Sequence, residues 1–207
     1  AQQSLIVSNA TKHRDNSAFI DDMISTVENS VNRMQRLMEQ MRSGIRSAPS
    51  EVIRLTELLQ SVINSRRHVQ PVPSSEWSVE ECLVSADRER LSTVFNHLIQ
   101  NAQEATDPKG KVKVRVTRSV DTATIDVIDT GKGMTGEFIR DRLYRPFEST
   151  KGLTGMGIGA FESREYIRQL GGDIRVTSSP DRGTTFHVTI PLITADRDRH
   201  EQESNGE

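Results

Sequence analysis

The sequence predicts an α/β protein: a two-layer sandwich with a mixed, mostly antiparallel sheet and helices on one face, preceded by part of an α-helical coiled-coil dimerisation hairpin. Three observations predict it. Apolar residues at Ile20, Ile24, Val27, Val31, Met34, Met38, Met41 and Ile45 follow an unbroken four-three alternation, which is a coiled-coil seam. Beyond Pro49 the period changes, and short β-rich runs are interspersed with amphipathic helical ones. Two pairs of those runs are joined by tight turns, as antiparallel neighbours are.

The elements follow in order. A seam of single apolar positions cannot be buried by one isolated helix, so it needs the segment 4–10, another chain, or both. Asp15-Asn16-Ser17 breaks the two helices, with Asn16 or Ser17 as cap. Residues 44–50, with Pro49, read as a linker and set a boundary near residue 47. Residues 1–46 are then part of a hairpin, 47–194 an α/β domain, and 195–207 a charged, aromatic-free tail expected to be disordered. Within the domain, 52–55 reads as a short strand, 58–67 as a helix, 69–75 as a proline-broken loop or edge, and 82–85 as a brief strand. Asp87 caps a helix to about Thr106, ended by Asp107-Pro108-Lys109-Gly110. Strands at 112–117 and 122–128 flank a turn at 119–121, and alternation of Val112, Val114 and Val116 buries one face. After a glycine-rich stretch from Gly131 to Gly159 come a helix over 160–170, stopped by Gly171-Gly172, and a hairpin of 174–178 with 184–190.

The totals narrow the function. Lys and Arg total 27 against 29 Asp and Glu, so a net charge of -2 leaves no footprint for nucleic acid. The single cysteine, Cys82, excludes an internal disulfide and a cysteine-only zinc site and fits a reducing compartment. No apolar run approaches the roughly 20 residues that cross a bilayer, so the piece is expected to be soluble. A chain that opens on Ala1-Gln2-Gln3, in what reads as mid-helix, is expected to be a fragment of something longer.

Three clusters break the local pattern where chemistry is expected. On the helix HLIQNAQEAT, His97, Asn101 and Glu104 share one polar edge while Leu98 and Ile99 face the core. An Asn carbonyl there can ligate Mg²⁺ while the metal bridges phosphates, although a polar edge alone is only a solvated surface. The second cluster, Asp129-Thr130-Gly131-Lys132-Gly133-Met134, follows a strand directly. An Asp at a strand end, where glycines admit close backbone approach, can accept a hydrogen bond from a ligand amine; a tight turn is the plainer reading. In the third, Thr150-Lys151-Gly152-Leu153-Thr154-Gly155-Met156-Gly157-Ile158-Gly159, four glycines open into a helix whose free amides form an anion site. It is neither a Walker loop nor a dinucleotide fingerprint.

The order HLIQNAQEAT, DTGKGM, RPFESTK, GLTGMGIG and DRGTTF resembles the nucleotide-binding boxes of sensor histidine kinases, whose fold is shared with gyrase, Hsp90 and MutL ATPases. The stretch TKGLTGMGIGAFESREYIRQLGGDIRV also resembles the kinases that accompany the PEP-CTERM exopolysaccharide and protein-sorting system. The resemblance implies ATP and Mg²⁺ as cofactors, with Asn101 as metal ligand and Asp129 as adenine reader. It implies that Gly131 and Gly133 shape the adenine pocket, that 134–156 is a lid packed by Phe147, and that Gly155, Gly157 and Gly159, with Met156 and Ile158, form its phosphate-side hinge. Thr150 and Lys151 then face phosphates, and Gly183 and Thr184 close the adenine side. His97 stands where these kinases carry an Asn and the ATPases a water-activating Glu.

The reaction implied is transfer of the γ-phosphoryl of ATP to a histidine and then to an aspartate of a response regulator. None of His13, His68, His97, His187 or His200 has the acidic-apolar-basic sequel of an acceptor, which is expected upstream of Ala1. The fragment is accordingly expected not to autophosphorylate. A homodimer of the longer protein is implied, membrane-anchored, with this region in the cytoplasm. A hydrolysing ATPase and a nucleotide-sensing module without chemistry are the competing readings.

Overall fold

The computed structural model describes residues 50–79, 81–146 and 158–193. The coiled-coil seam over 20–45, the expected domain boundary near 47 and the charged tail from 195 lie outside the described residues. The elements in chain order are β1 (Glu51–Arg54), α1 (Leu55–Ser65), β2 (Ser74–Trp77), β3 (Leu83–Ala86), α2 (Arg88–Ala105), β4 (Val112–Arg118), β5 (Thr122–Asp129), α3 (Gly136–Asp141), α4 (Gly159–Gln169), β6 (Asp173–Ser178) and β7 (Thr184–Pro191).

Five strands form one sheet in the order β2-β4-β5-β7-β6, and β1 with β3 makes a separate two-stranded ladder. Only the β2–β4 pair of the larger sheet is parallel, so the sheet is mixed and mostly antiparallel, as expected. Register explains its single dry face. Val114 opposes Val127, which opposes Phe186, while Val116 opposes Ile125, which opposes Val188. All six are buried, because side chains two apart on a strand share a face. α2 packs on β4 and β5, and α4 on β6 and β7. The α2 stripe of Leu91, Val94, Phe95, Leu98, Ile99 and Ala102 and the α1 stripe of Leu55, Leu58, Leu59, Val62 and Ile63 complete one continuous core with the sheet.

The opposite sheet face is polar. Arg115, Asp126 and His187 lie in register across β4, β5 and β7 there. Asp126 accepts from Arg115 Nη2 at 2.7 Å and lies 2.7 Å from His187 Nδ1. The two covering side chains leave only 5% of Asp126 exposed, on a face that carries no helix among the described residues.

Several boundaries differ from the sequence reading, each for a local reason. Leu55 belongs to α1, not to the preceding strand: its amide bonds Cys82 O at 2.9 Å, and the chain turns helical at once to bury Leu55 with Leu58 and Leu59. The proline-rich 69–75 stretch yields an edge strand only after Pro73, where Ser74 to Trp77 pair with Lys113 to Val116. The strand expected at 82–85 runs from Leu83 to Ala86. Within the glycine-rich stretch lies α3, which the sequence reading lacks; Thr135 caps it by accepting from Phe138 N at 3.2 Å. Asp87 caps α2 as expected, accepting from Arg90 N at 3.0 Å. No helix among the described residues is long and apolar enough to cross a membrane.

Candidate functional site

Asp129 ends β5 on the dry face, two residues beyond Val127, and is 4% exposed. Its Oδ1 accepts two backbone amides, Gly131 N at 2.8 Å and Thr184 N at 3.2 Å. Both bonds use one oxygen, and Oδ2 has no hydrogen bond among the described residues. Burial holds the Asp129 carboxyl above the usual carboxylate range, and the two amides offset only part of that. The result is a buried acceptor with an unused lone-pair face beside the end of α2.

Glycine makes this closeness possible. A Cβ on Gly131 would sit 2.3 Å from Ala105 O, so only glycine lets the Asp129 turn pack on the end of α2. Lys132 N bonds that same carbonyl at 3.0 Å. Gly183 has φ +82°, and a Cβ there would meet Asp129 O at 2.0 Å. Gly133, at φ +64°, lies under Ser179 O in the same loop cluster. Ser178 ties the cluster together: its hydroxyl donates to Gly183 O at 2.8 Å and accepts from Met134 N at 2.9 Å. With its only proton spent, it accepts from Thr184 Oγ1 at 2.9 Å. Asp129, Gly131, Gly133 and Thr184 thus lie in one loop cluster at the end of β5.

The other end of the site is set by how α2 meets α4. Tyr166 Oη accepts from Asp87 N at 2.9 Å and donates to Asp87 O at 3.2 Å, while Arg90 Nη2 donates to Gln169 Oε1 at 3.2 Å. The start of α2 therefore meets the end of α4. At the opposite extreme a Cβ on Gly159 would lie 3.2 Å from His97 Nδ1. The helices run antiparallel, and the amide-bearing N-terminus of α4 ends level with His97. Ile158, its N-cap residue, is buried and makes no side-chain capping bond. Asn101 is half-buried one turn beyond His97, and Ala105, under the Asp129 turn, lies one turn further. Eight residues of helix separate His97 from Ala105, about 12 Å at 1.5 Å per residue. Glu104 is exposed and accepts from Gln100 Nε2 at 2.7 Å.

Of the remaining expected site residues, Phe147, Thr150, Lys151, Gly155, Met156 and Gly157 lie outside the described residues. Two structural residues escape the motif reading. Gln103, 2% exposed, lies within 3.2 Å of the carbonyls of Arg66, Val69 and Pro71 through Nε2, and its Oε1 accepts from Arg66 Nε at 3.0 Å. Tyr144 donates to Ile174 O at 3.3 Å under the Arg164 guanidinium, 4.2 Å from its ring, and burial pushes its phenol up to about 12.

No group of three or more His, Cys, Asp or Glu side chains that could hold a metal occurs among the described residues. A metal here would take most of its ligands from phosphate and water. That fits Mg²⁺, which keeps several waters and binds through few protein oxygens, and the Asn101 amide is such an oxygen.

The buried Asp129 carboxylate thus lies by the Ala105 end of α2 and the first residue of α4 by its His97 end, about 12 Å apart as measured along the helix. Residues 86–194 match the family described as histidine kinase-, DNA gyrase B-, and HSP90-like ATPase. That match spans more than half of the chain, and the chain belongs to this family. Its sequence is 31% identical over 111 residues to sporulation kinase C of Bacillus subtilis (strain 168), an alignment of 54% of this chain and 26% of that protein. With the signal transduction histidine-protein kinase AtoS of Escherichia coli (strain K12) it shares 33% identity over 119 residues, 57% of this chain and 19% of AtoS. The chain thus matches only about a quarter or less of the length of these curated relatives. The catalytic domain of histidine kinase ThkA superposes with a TM-score of 0.62 at 27% identity, covering 70% of this chain and 97% of that domain.

Proposed function

We propose that this chain is the catalytic region of a sensor histidine kinase, binding Mg²⁺-ATP and delivering the γ-phosphoryl to a histidine outside it. The observation that carries the reading is the α2 spacing: Asp129 at the Ala105 end, the α4 N-terminus at the His97 end, and Asn101 between them. The Asp129 Oδ2 accepts from the exocyclic amine of adenine, which pairs a donor with an otherwise unused acceptor. The α4 amides receive phosphate oxygens, and Asn101 offers its carbonyl to Mg²⁺, which neutralises phosphate charge. By resemblance to the family's motifs we assign Lys151 and Thr150 to phosphate contact, Phe147 to the lid, and Gly155, Met156 and Gly157 to its phosphate-side hinge.

The chemistry is an in-line displacement. A nitrogen of the acceptor histidine attacks the γ-phosphorus, the bond to the β–γ bridging oxygen breaks, and ADP leaves carrying that oxygen. The phosphohistidine then passes its phosphoryl to an aspartate of a response regulator. The protein contributes positioning and charge complementarity rather than covalent chemistry. The longer protein is a membrane-anchored homodimer with this region on the cytoplasmic side.

Titration calorimetry of ADP with and without Mg²⁺ tests the site. Asp129→Ala should weaken ADP by about 1.5–3 kcal/mol whether or not metal is present, because a buried charged hydrogen bond is lost. Asn101→Ala should act mainly on the Mg²⁺-dependent part. Unchanged ADP affinity in Asp129→Ala defeats the assignment. A hydrolysing ATPase is the second reading, favoured by a single observation: His97, a possible base, lies against the α4 N-terminus. Brisk phosphate release without any acceptor protein would select it.

A further inference from the structure

A row of hydrogen bonds crosses four strands on the polar face of the sheet. It runs from Arg115 on β4 through Asp126 on β5 and His187 on β7 to Thr177 on β6. We propose that Thr177 is a nucleophile with His187 as its general base, and that it takes an acyl group from activated esters. The inference does not rest on the nucleotide reading.

The order of the groups comes first. Asp126 Oδ2 accepts from Arg115 Nη2 at 2.7 Å and Nε at 3.2 Å, while Oδ1 meets His187 Nδ1 at 2.7 Å. Burial pushes the Asp126 carboxyl up, but its bonds to Arg115 and His187 bring it below the usual carboxylate range, so it has no proton to give. A carboxylate only accepts; in the neutral ring the proton therefore sits on Nδ1, and Nε2 is left as an acceptor. Nε2 lies 3.1 Å from Thr177 Oγ1, and the hydroxyl is then the donor. Acid, imidazole and hydroxyl stand in the order by which a weak alcohol is made nucleophilic. Exposure comes second. Asp126 is buried, His187 is half-buried, and Thr177 is exposed on β6, an edge strand of the five-stranded sheet. Charge comes third. Arg175 opposes His187 in register and lies two residues before Thr177 on the same face, with its side chain 84% exposed. Its guanidinium offers donors to the negative charge that builds on an acyl oxygen.

In the step itself Thr177 Oγ1 attacks the acyl carbonyl carbon while its proton passes to His187 Nε2. The bond to the leaving oxygen breaks, the leaving group takes that proton, and Thr177 carries the ester.

The alternative is a row that only ties four strands together. The full chain is treated with p-nitrophenyl acetate and quenched in acid within the first turnover, and acetylated threonines are quantified by tandem mass spectrometry. Thr93 is the reference, because it too is exposed and its hydroxyl donates to Glu89 O at 2.9 Å instead of to a base. The proposal predicts that Thr177 is acetylated about a hundredfold faster than Thr93, a factor of the size that general bases supply. His187→Asn should bring the two rates together. Asp126→Asn, whose amide N–H can donate to Nδ1 and so shift the ring proton to Nε2, should lower the ratio as well. Equal rates at Thr177 and Thr93 in the unaltered protein overturn the proposal, and so does a Thr177 rate that His187→Asn leaves unchanged. The comparison of the two threonines needs no variant, so misfolding of a variant does not shield the idea.

Discussion

Gln103 occupies a position where the α2 stripe calls for an apolar side chain, four residues after Ile99 and eight after Phe95. It is buried because it serves as a clasp: one amide holds three carbonyls of the 66–71 loop and takes a bond from Arg66 in return. Replacing it with leucine keeps the volume but strands those carbonyls, and an unsatisfied buried acceptor costs about 1–3 kcal/mol. Gln103→Leu should therefore lose about 1–3 kcal/mol in urea unfolding, with a larger loss for Gln103→Ala. A stability equal to wild type would show that water replaces the clasp. Gln103 escapes a motif reading because it sits inside HLIQNAQEAT among polar neighbours, and only its register with the apolar stripe sets it apart. His97, Asn101 and Asp129 are legible for the converse reason: each is polar at a helix edge or strand end where its neighbours supply a recognisable order.

At the scale of elements, strand and helix identity follow from periodicity where the pattern is long. β4, β5, β7, α2 and α4 are read within about a turn or a strand residue of their observed limits. Short elements depend on contacts that sequence does not carry. β2 exists because β4 lies beside it, and α3 because Thr135 caps six residues inside a glycine-rich stretch. The β6–β7 turn shows how an element end serves the site. Gly183 turns the chain at φ +82°, directly against Asp129 O, and its neighbour Thr184 supplies one of the two amides that hold Asp129. Gly183→Ala meets two penalties: a left-handed backbone that costs an L-residue about 1–2 kcal/mol, and a Cβ that must displace Asp129 O from 2.0 Å. Thermal unfolding should show a loss of at least about 1 kcal/mol, and ADP affinity should fall with it because the displaced atom belongs to Asp129. Full ADP affinity at reduced stability would uncouple the turn from the site.

At the scale of the whole molecule, β5 separates two environments, and its two aspartates feel them in opposite senses. Asp129 faces the helices, where burial raises its carboxyl pKa. Asp126 faces the other way, and its pKa moves down: burial pushes it up, but hydrogen bonds from Arg115 and His187 and their charges outweigh that. The signs fix the pH response. A depressed folded pKa means that the unfolded chain takes up a proton first, at about pH 3.9 for a free Asp. The Asp126 contribution is therefore complete above that pH and is lost as the pH falls from there through the folded value. Asp129 contributes the reverse: its stabilisation is present below the unfolded pKa and is lost as the pH rises through its raised folded value. Asp126→Asn removes the charge from the polar face and should cost about 1–3 kcal/mol at pH 7, toward the lower end because Arg115 is 40% exposed and screened by water. Below about pH 4 the gap between variant and wild type should close, since the wild-type carboxylate is then losing its own pairing. Denaturant melts from pH 7 to pH 3 measure both quantities. A gap that stays constant across that range would show that Asp126 acts through packing, and that the charged row on the polar face adds nothing to the stability of the sheet.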